Sequence, residues 1–156
     1  MSREMLFRGE RIDNGKWVEG NLIYTPENDD DFKYIIIPQS CNGMHTKIPD
    51  LGFEKWYKVD PSTVCQYTGL TDRNGVKIWE GDIVKIDGID CYRCVRFGHY
   101  GDSAKKEGCY GWYIKFVQGN GHGIQDFGFW WNRLTVIGNR FDNAELLEGG
   151  MGEDVS

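Results

Sequence analysis

The sequence predicts a mainly β protein: an antiparallel small barrel or roll with an N-terminal hairpin and short helical turns. Its 156 residues include 21 Gly, only 4 Pro and 14% aromatic residues, a balance typical of short strands joined by tight turns. Turn signals also recur about every ten residues between short apolar segments. This length fits one domain, which we place at residues 1–148, with a flexible acidic tail at 149–156.

The first predicted element is a hairpin. Leu6–Ile12 and Lys16–Tyr24 flank Asp13-Asn14-Gly15, and Asn-Gly is a strong hairpin signal because both residues tolerate positive φ. A compact apolar strand follows over 32–37, whereas residues 39–53 show no period and predict a loop. The central segments then predict, in order, a strand at 56–59, one helical turn after Asp60-Pro61, a strand at 64–68, an Asn-Gly turn at 72–75, and a hairpin of 82–87 with 89–97.

The C-terminal part predicts two more strands and one helical turn. Tyr110, Trp112 and Ile114 alternate along one strand and therefore share a face. Leu134–Ile137 is the last predicted strand, and residues 143–147 predict a helical turn capped by Asn143. The run GDIVKIDGIDCYRCVRF at 81–97 resembles the opening strands of SH3-like small barrels.

Three segments together resemble the YopX family of phage and prophage proteins. They are Val59–Leu70 (VDPSTVCQYTGL), Thr71–Val84 (TDRNGVKIWEGDIV) and Val136–Leu147 (VIGNRFDNAELL), and the N-terminal hairpin with Trp17 and Gly20 resembles the family's start. The resemblance implies a largely β fold containing an SH3-like roll, encoded by a mobile element and working in a bacterial cytoplasm. It implies no established activity and no catalytic residues.

Two features of this chain depart from the family pattern. Cys65 stands where the family more often has a small residue such as glycine. Residues 98–131 are longer and more aromatic than the family leads us to expect, so a function located there would be special to this protein.

Charge and cysteine content narrow the functional classes. The net charge of −6 disfavours a broad nucleic-acid-binding face, because binding of this kind depends on neutralising phosphates. The start MSREMLFRGER lacks a basic segment followed by an apolar core, and no apolar run is long enough for a bilayer. With 5 cysteines, an odd number, we expect a cytoplasmic protein with reduced thiols and no membrane partner.

One cysteine and histidine pattern is compatible with zinc. Cys91-x2-Cys94-x4-His99 followed by Cys109 offers four donors, as a tetrahedral site requires. The segment CYRCVRF nevertheless reads as a strand, and residues three apart on a strand face opposite sides unless a bulge intervenes. We therefore favour unligated cysteines and predict no cofactor, with zinc as the alternative.

An aromatic group is the better clue to function, namely Trp112, Phe129, Trp130 and Trp131. If Trp130 and Trp131 lie on a strand, one of them must be exposed, and exposed tryptophan is enriched at interfaces. No nucleophile with a positioned base is found, so we predict no enzyme. The sequence favours a protein that binds a protein partner or itself.

Two alternatives remain open at this point. One is a nucleic-acid-associated module, in which local positive charge from Arg93, Arg96, Lys105, Lys106 and Lys115 accompanies aromatic residues. The other is a zinc-binding or enzymatic role within residues 91–131.

Overall fold

The computed structural model describes residues 4–25, 33–41, 44–47, 50–101, 108–114 and 127–148. The chain divides into two compact units, Met1–Tyr67 and Thr68–Ser156. Both consist mainly of antiparallel strands, which confirms the mainly β prediction. The predicted tail at 149–156 lies outside the described residues, and the assignment of 1–148 to a single domain stays a prediction.

Unit 1 is the N-terminal unit, and its described strands form one larger sheet and a separate hairpin. The larger sheet has the strand order β6-β3-β2-β1-β7, and β4 pairs with β5. The strands are β1 (Phe7–Glu10), β2 (Trp17–Tyr24), β3 (Tyr34–Pro38), β4 (Met44–Lys47), β5 (Asp50–Phe53), β6 (Tyr57–Lys58) and β7 (Cys65–Thr71), the last of which continues into unit 2.

The predicted N-terminal hairpin is confirmed. Strands β1 and β2 pair from Phe7 opposite Gly20 to Glu10 opposite Trp17, and Gly15 in the turn has a φ of 66°. Alternation along these strands directs Val18 into a small core, where it meets Ile36 of β3 and Val59.

Gly20 marks a very close approach between neighbouring strands. A Cβ atom at this position would lie 1.9 Å from the carbonyl oxygen of Ile37 in β3. No side chain fits in that space, so the pairing of β2 with β3 requires glycine here.

The loop predicted over residues 39–53 is wrong in part, because β4 and β5 form a hairpin. Their register runs from Met44 opposite Phe53 to Lys47 opposite Asp50. Residues 39–53 show no alternation of apolar and polar residues, which is the local signal that predicts a strand, although the backbones of β4 and β5 pair.

The helical turn predicted after Asp60 is confirmed as a 3₁₀ turn at Pro61–Thr63. The carboxylate of Asp60 accepts the amide N–H of Ser62 at 2.9 Å, and Pro61 supplies a fixed φ at the first position. The Thr63 hydroxyl then accepts the amide of Glu10, which ties the turn to β1.

Unit 2 contains a four-stranded sheet of order β11-β10-β9-β12, and β8 lies beside β7. These orders are linear within the described residues, and the SH3-like roll stays a prediction. The elements are β8 (Lys77–Trp79), β9 (Asp82–Ile86), β10 (Ile89–Tyr100), β11 (Cys109–Ile114), the short helix α1 (Phe127–Trp130), a 3₁₀ turn (Trp131–Arg133), β12 (Leu134–Asn139) and the short helix α2 (Glu145–Glu148).

Two cores lie on opposite faces of this sheet. Residues 84 and 86 of β9 alternate with residue 83, so they point to opposite sides. The larger cluster contains Ile78, Val84, Ile86, Val95, Ile114, Phe127, Trp130 and Leu134. The smaller one contains Ile83, Cys94 and Leu147, which fixes α2 against the sheet.

The turn at 72–76 is joined to β12 by one buried carboxylate. Asp72 Oδ1 accepts the amide N–H groups of Asn74 at 2.8 Å and Val76 at 3.0 Å. Its Oδ2 accepts the amide of Val136 in β12 at 3.0 Å. The amide of Arg73 also donates to the Leu134 carbonyl at 3.1 Å. The predicted Asn-Gly turn is thus confirmed, and its first residue fastens it to the sheet.

Asn143 does not cap the last helix in the predicted way. Its Oδ1 accepts the amide of Asn139 at 3.2 Å, and helix α2 begins two residues later at Glu145. The side chain therefore closes the turn after β12, while the Asn143 carbonyl accepts the amide of Leu146 at 3.0 Å. The helical turn predicted at 143–147 is confirmed by α2.

We expect the substitution Asp72→Asn to lower the free energy of unfolding by about 1–3 kcal/mol, because an amide nitrogen must replace one acceptor oxygen facing a buried N–H. Urea denaturation measures the change. Asp87→Asn is the matched control: Asp87 pairs with Arg73 at an exposed position, where the loss should stay below about 1 kcal/mol. Equal losses in the two variants would contradict the assigned role.

We also expect Gly20→Ala to destabilise the protein strongly, by more than about 2 kcal/mol, because the new Cβ collides with backbone rather than with a movable side chain. Gly52→Ala is the control, since a Cβ there meets nothing within 4 Å. Thermal unfolding of both variants tests the difference, and a mild effect at Gly20 would show that β3 can shift away.

Candidate interaction surface

Strand β10 has two pairing partners along its length. Its first part pairs with β9 up to Cys94 opposite Ile83, and from Val95 onward it pairs with β11. Residues 96–100 and 109–113 therefore form a two-stranded ribbon, within the described residues, that continues from the sheet. We call it the ribbon.

An apolar row runs along one face of the ribbon from the core to solvent. Val95 opposite Ile114 is buried, while further out Phe97 opposite Trp112 and His99 opposite Tyr110 share the same face. Phe97 is 44% exposed and Tyr110 is 73% exposed. The alternation predicted for Tyr110, Trp112 and Ile114 is confirmed in this register.

The three aromatic rings of this row contact each other. The Phe97 ring lies 5.2 Å from that of Tyr110 at an interplanar angle of 85°, and 4.8 Å from that of Trp112 at 63°. Both are edge-to-face arrangements, which aromatic rings prefer over a face-to-face sandwich. We call Phe97, Tyr110 and Trp112 the aromatic face.

The opposite side of the ribbon is also aromatic. Gly98 pairs with Gly111, so neither residue of that pair contributes a side chain. The rings of Tyr100 and Tyr113 stack at 5.4 Å, and a Tyr113 ring carbon comes within 3.9 Å of the Cβ position at Gly98. An aromatic side chain thereby shields a glycine step, as in other sheets.

The Trp130-Trp131 pair lies in a helical turn, and the strand geometry considered for it is wrong. Trp130 is 5% exposed and belongs to the larger core, so it is not a surface residue, whereas Trp131 is 37% exposed. Consecutive residues of a helical turn point about 100° apart, so one ring enters the core while the next is partly exposed. The side chain of Phe129 lies outside the described part of the structure.

The zinc candidates lie apart. Cys91 and Cys94 are buried, whereas His99 and Cys109 are exposed. His99 shares a face with Tyr110, while Cys109 is opposite Tyr100 and therefore points to the other side. Cys94 is six residues from Tyr100 along β10, about 20 Å. Among the described residues, no three His, Cys, Asp or Glu side chains are placed to hold a metal ion.

Cys91 lies where the pairing of β10 with β9 is irregular, since the register shifts between Ile89 and Tyr92. Burial raises the pKa of the Cys91 thiol, which makes it a poor nucleophile near neutral pH. The five cysteines all fall within the described residues and form no disulfide.

Fewer of the basic residues considered for nucleic-acid binding are exposed than the sequence suggests. Arg93 is 2% exposed and lies among the core residues, with its guanidinium donating to the Tyr92 carbonyl at 2.8 Å. Arg96 is half-buried on the ribbon. Lys105, Lys106 and Lys115 lie outside the described residues.

Sequence reasoning missed a pocket in unit 1. It has a volume of about 270 Å³ and is lined by Ile12, Asp13, Trp56, Tyr57 and Lys58. Ile12 N donates to Lys58 O at 3.1 Å, and this pairing brings two segments more than forty residues apart side by side. The Arg11 guanidinium lies 3.8 Å from the Tyr57 ring centre, and its hydrogen bond to Asp13 lowers the pKa of that carboxyl. No local pattern marks this pocket in the sequence.

The described residues contain no helix long and apolar enough to cross a membrane. The fold is that of a mainly β protein with an aromatic ribbon on the surface of its described part. The family model described as YopX protein matches residues 6–148, so the chain belongs to the YopX family, and the predicted resemblance is confirmed. No curated protein matches the sequence.

The fold is similar to that in the crystal structure of protein EF1440 from Enterococcus faecalis, with a TM-score of 0.54 and 22% sequence identity. The match covers 94% of this chain and 99% of that one. At this identity the similarity supports the fold and carries no function.

We expect Cys109 to react first when the native protein is treated with a disulfide reagent such as dithionitrobenzoate. Its thiol is exposed, whereas Cys65, Cys91 and Cys94 are buried, and the raised pKa of Cys91 further lowers its thiolate fraction. Cys109→Ser should remove the fast phase and Cys91→Ser should leave it unchanged. Rapid modification of Cys91 in the folded protein would contradict the burial of its thiol.

Proposed function

We propose that this protein is a non-enzymatic interaction module, encoded by a phage or prophage and working in the bacterial cytoplasm. It binds a protein partner, or a second copy of itself, through the ribbon. The observation that supports this is the aromatic face, where Phe97 and Tyr110 are exposed although they contact each other and continue the core.

Energetics favour a partner for this face. Exposing large aromatic side chains to water costs free energy, and contiguous exposed aromatic groups are typical of protein interfaces. Each ring is already held by its neighbours at centroid distances near 5 Å, so binding costs little side-chain entropy. Rigid aromatic anchors of this kind carry much of the energy of protein interfaces.

The ring geometry and the charge both favour protein over nucleic acid. The rings meet edge to face at 85° and 63°, so they do not present parallel platforms on which successive bases stack. Arg93 is buried, and the chain carries a net charge of −6, which disfavours binding to phosphates.

The test is affinity capture from host cells with the tagged protein and the double variant Phe97→Ser, Tyr110→Ser. We expect a specific protein to be retained by the wild type and reduced at least tenfold by the double variant, a loss of about 1.4 kcal/mol or more. Both residues are exposed, so thermal unfolding should change little.

Tyr24→Ser is the matched control, because Tyr24 is an exposed tyrosine of unit 1 that packs on Tyr34 at 4.7 Å. Retention that is equal in all variants would overturn the proposal. A mobility shift of nucleic acid that weakens with increasing salt would instead support nucleic-acid binding by the aromatic face.

A further inference from the structure

The two edge strands of the four-stranded sheet in unit 2 differ in the hydrogen bonding on their outer sides. At the β12 edge, the Leu134 carbonyl accepts Arg73 N–H at 3.1 Å, and Val136 N–H donates to Asp72 at 3.0 Å. The turn at 72–76 therefore covers this edge. At the β11 edge, no strand pairs with the outer side within the described residues.

Strand β11 also lacks the features that normally protect a sheet edge. Its sequence CYGWYI contains no charged residue and no proline, although the chain carries 18 basic and 24 acidic residues. It contains no bulge either, since its register with β10 is regular over all six pairs from Val95–Ile114 to Tyr100–Cys109. Charge, proline and bulges are the usual devices that prevent an edge strand from pairing with another chain.

We propose that β11 pairs antiparallel with β11 of a second copy and joins two four-stranded sheets into one across a two-fold axis. This inference rests on the proposed function, because it assigns a partner to the same ribbon. Self-pairing places identical strands opposite each other, where like charges would repel. An uncharged strand avoids this repulsion, which is why a second copy suits this edge of an otherwise acidic protein.

The register follows from symmetry and from the glycine. Directly opposed residues of an antiparallel pair point to the same face, so a two-fold axis normal to the sheet passes midway between one residue and the same residue of the second copy. We place the two Gly111 residues on either side of that axis, since helix α1 packs beside Ile114 at the other end of the strand. Tyr110 then lies opposite Trp112 of the second copy, an aromatic pair of the kind that stabilises neighbouring strands.

The closing experiment uses Gly111→Lys, with Gly111→Gln as its uncharged control. A Cβ at Gly111 meets nothing within 4 Å, so a side chain can begin there without displacing a neighbour. Sedimentation velocity at concentrations up to about 100 μM measures the oligomeric state. We expect a dimer for the wild type and for Gly111→Gln. Gly111→Lys, in which two ammonium groups lie close to the axis, should dissociate at least ten times more readily, with thermal unfolding unchanged at concentrations where both proteins are monomeric.

A monomeric wild type overturns the inference, and so does a Gly111→Lys dimer of wild-type affinity. Equal dissociation of both Gly111 variants overturns the Gly111-centred register. Failure here is separable from failure of the proposed function. A monomer that still captures a partner through Phe97 and Tyr110 leaves the interaction module in place, whereas a dimer that captures no other protein identifies the second copy as its partner.

Discussion

The carboxylate of Asp72 organises the C-terminal unit. One side chain accepts three backbone amides, two within its own turn and one from Val136 in β12. A buried carboxylate is stable only when its oxygens receive such donors, so the turn and the strand must form together. The same bonds cover the β12 edge of the sheet. On the outer side of β11, by contrast, no strand pairs within the described residues.

The twelve-residue strand β10 contributes residues both to the cores of unit 2 and to the aromatic face. Its first part lies beside β9, and its alternate residues fill cores on both faces of the sheet. Its second part keeps the same alternation after β9 has ended, so apolar side chains continue along one face with less covering them. Phe97 and Tyr110 are exposed for this reason. The aromatic face is thus an extension of the core, held in place by the buried Val95–Ile114 pair at its inner end.

Most strands could be predicted because their signals are local. The Asn-Gly turns at 14–15 and 74–75, the Asp60-Pro61 turn and the alternation of Tyr110 with Trp112 each depend on a few neighbouring residues. The β4–β5 hairpin was not predicted because its residues show no alternation of apolar and polar side chains. The zinc-like spacing of Cys91 and Cys94 did not determine where their thiols lie, since the pairing of β10 and its register shift beside Cys91 set the direction of each side chain.

The sequence by itself determined the β class, the main turns, the family and the aromatic character of the region around Trp112. Only the tertiary structure decided which aromatic residues meet solvent: Trp130 entered the core, whereas Phe97 emerged beside Tyr110. It also buried Arg93 and brought Ile12 next to Tyr57. The reason is physical. Turns and alternation are fixed by short-range sterics, whereas exposure depends on which distant segments pack against a residue, and no local pattern encodes that.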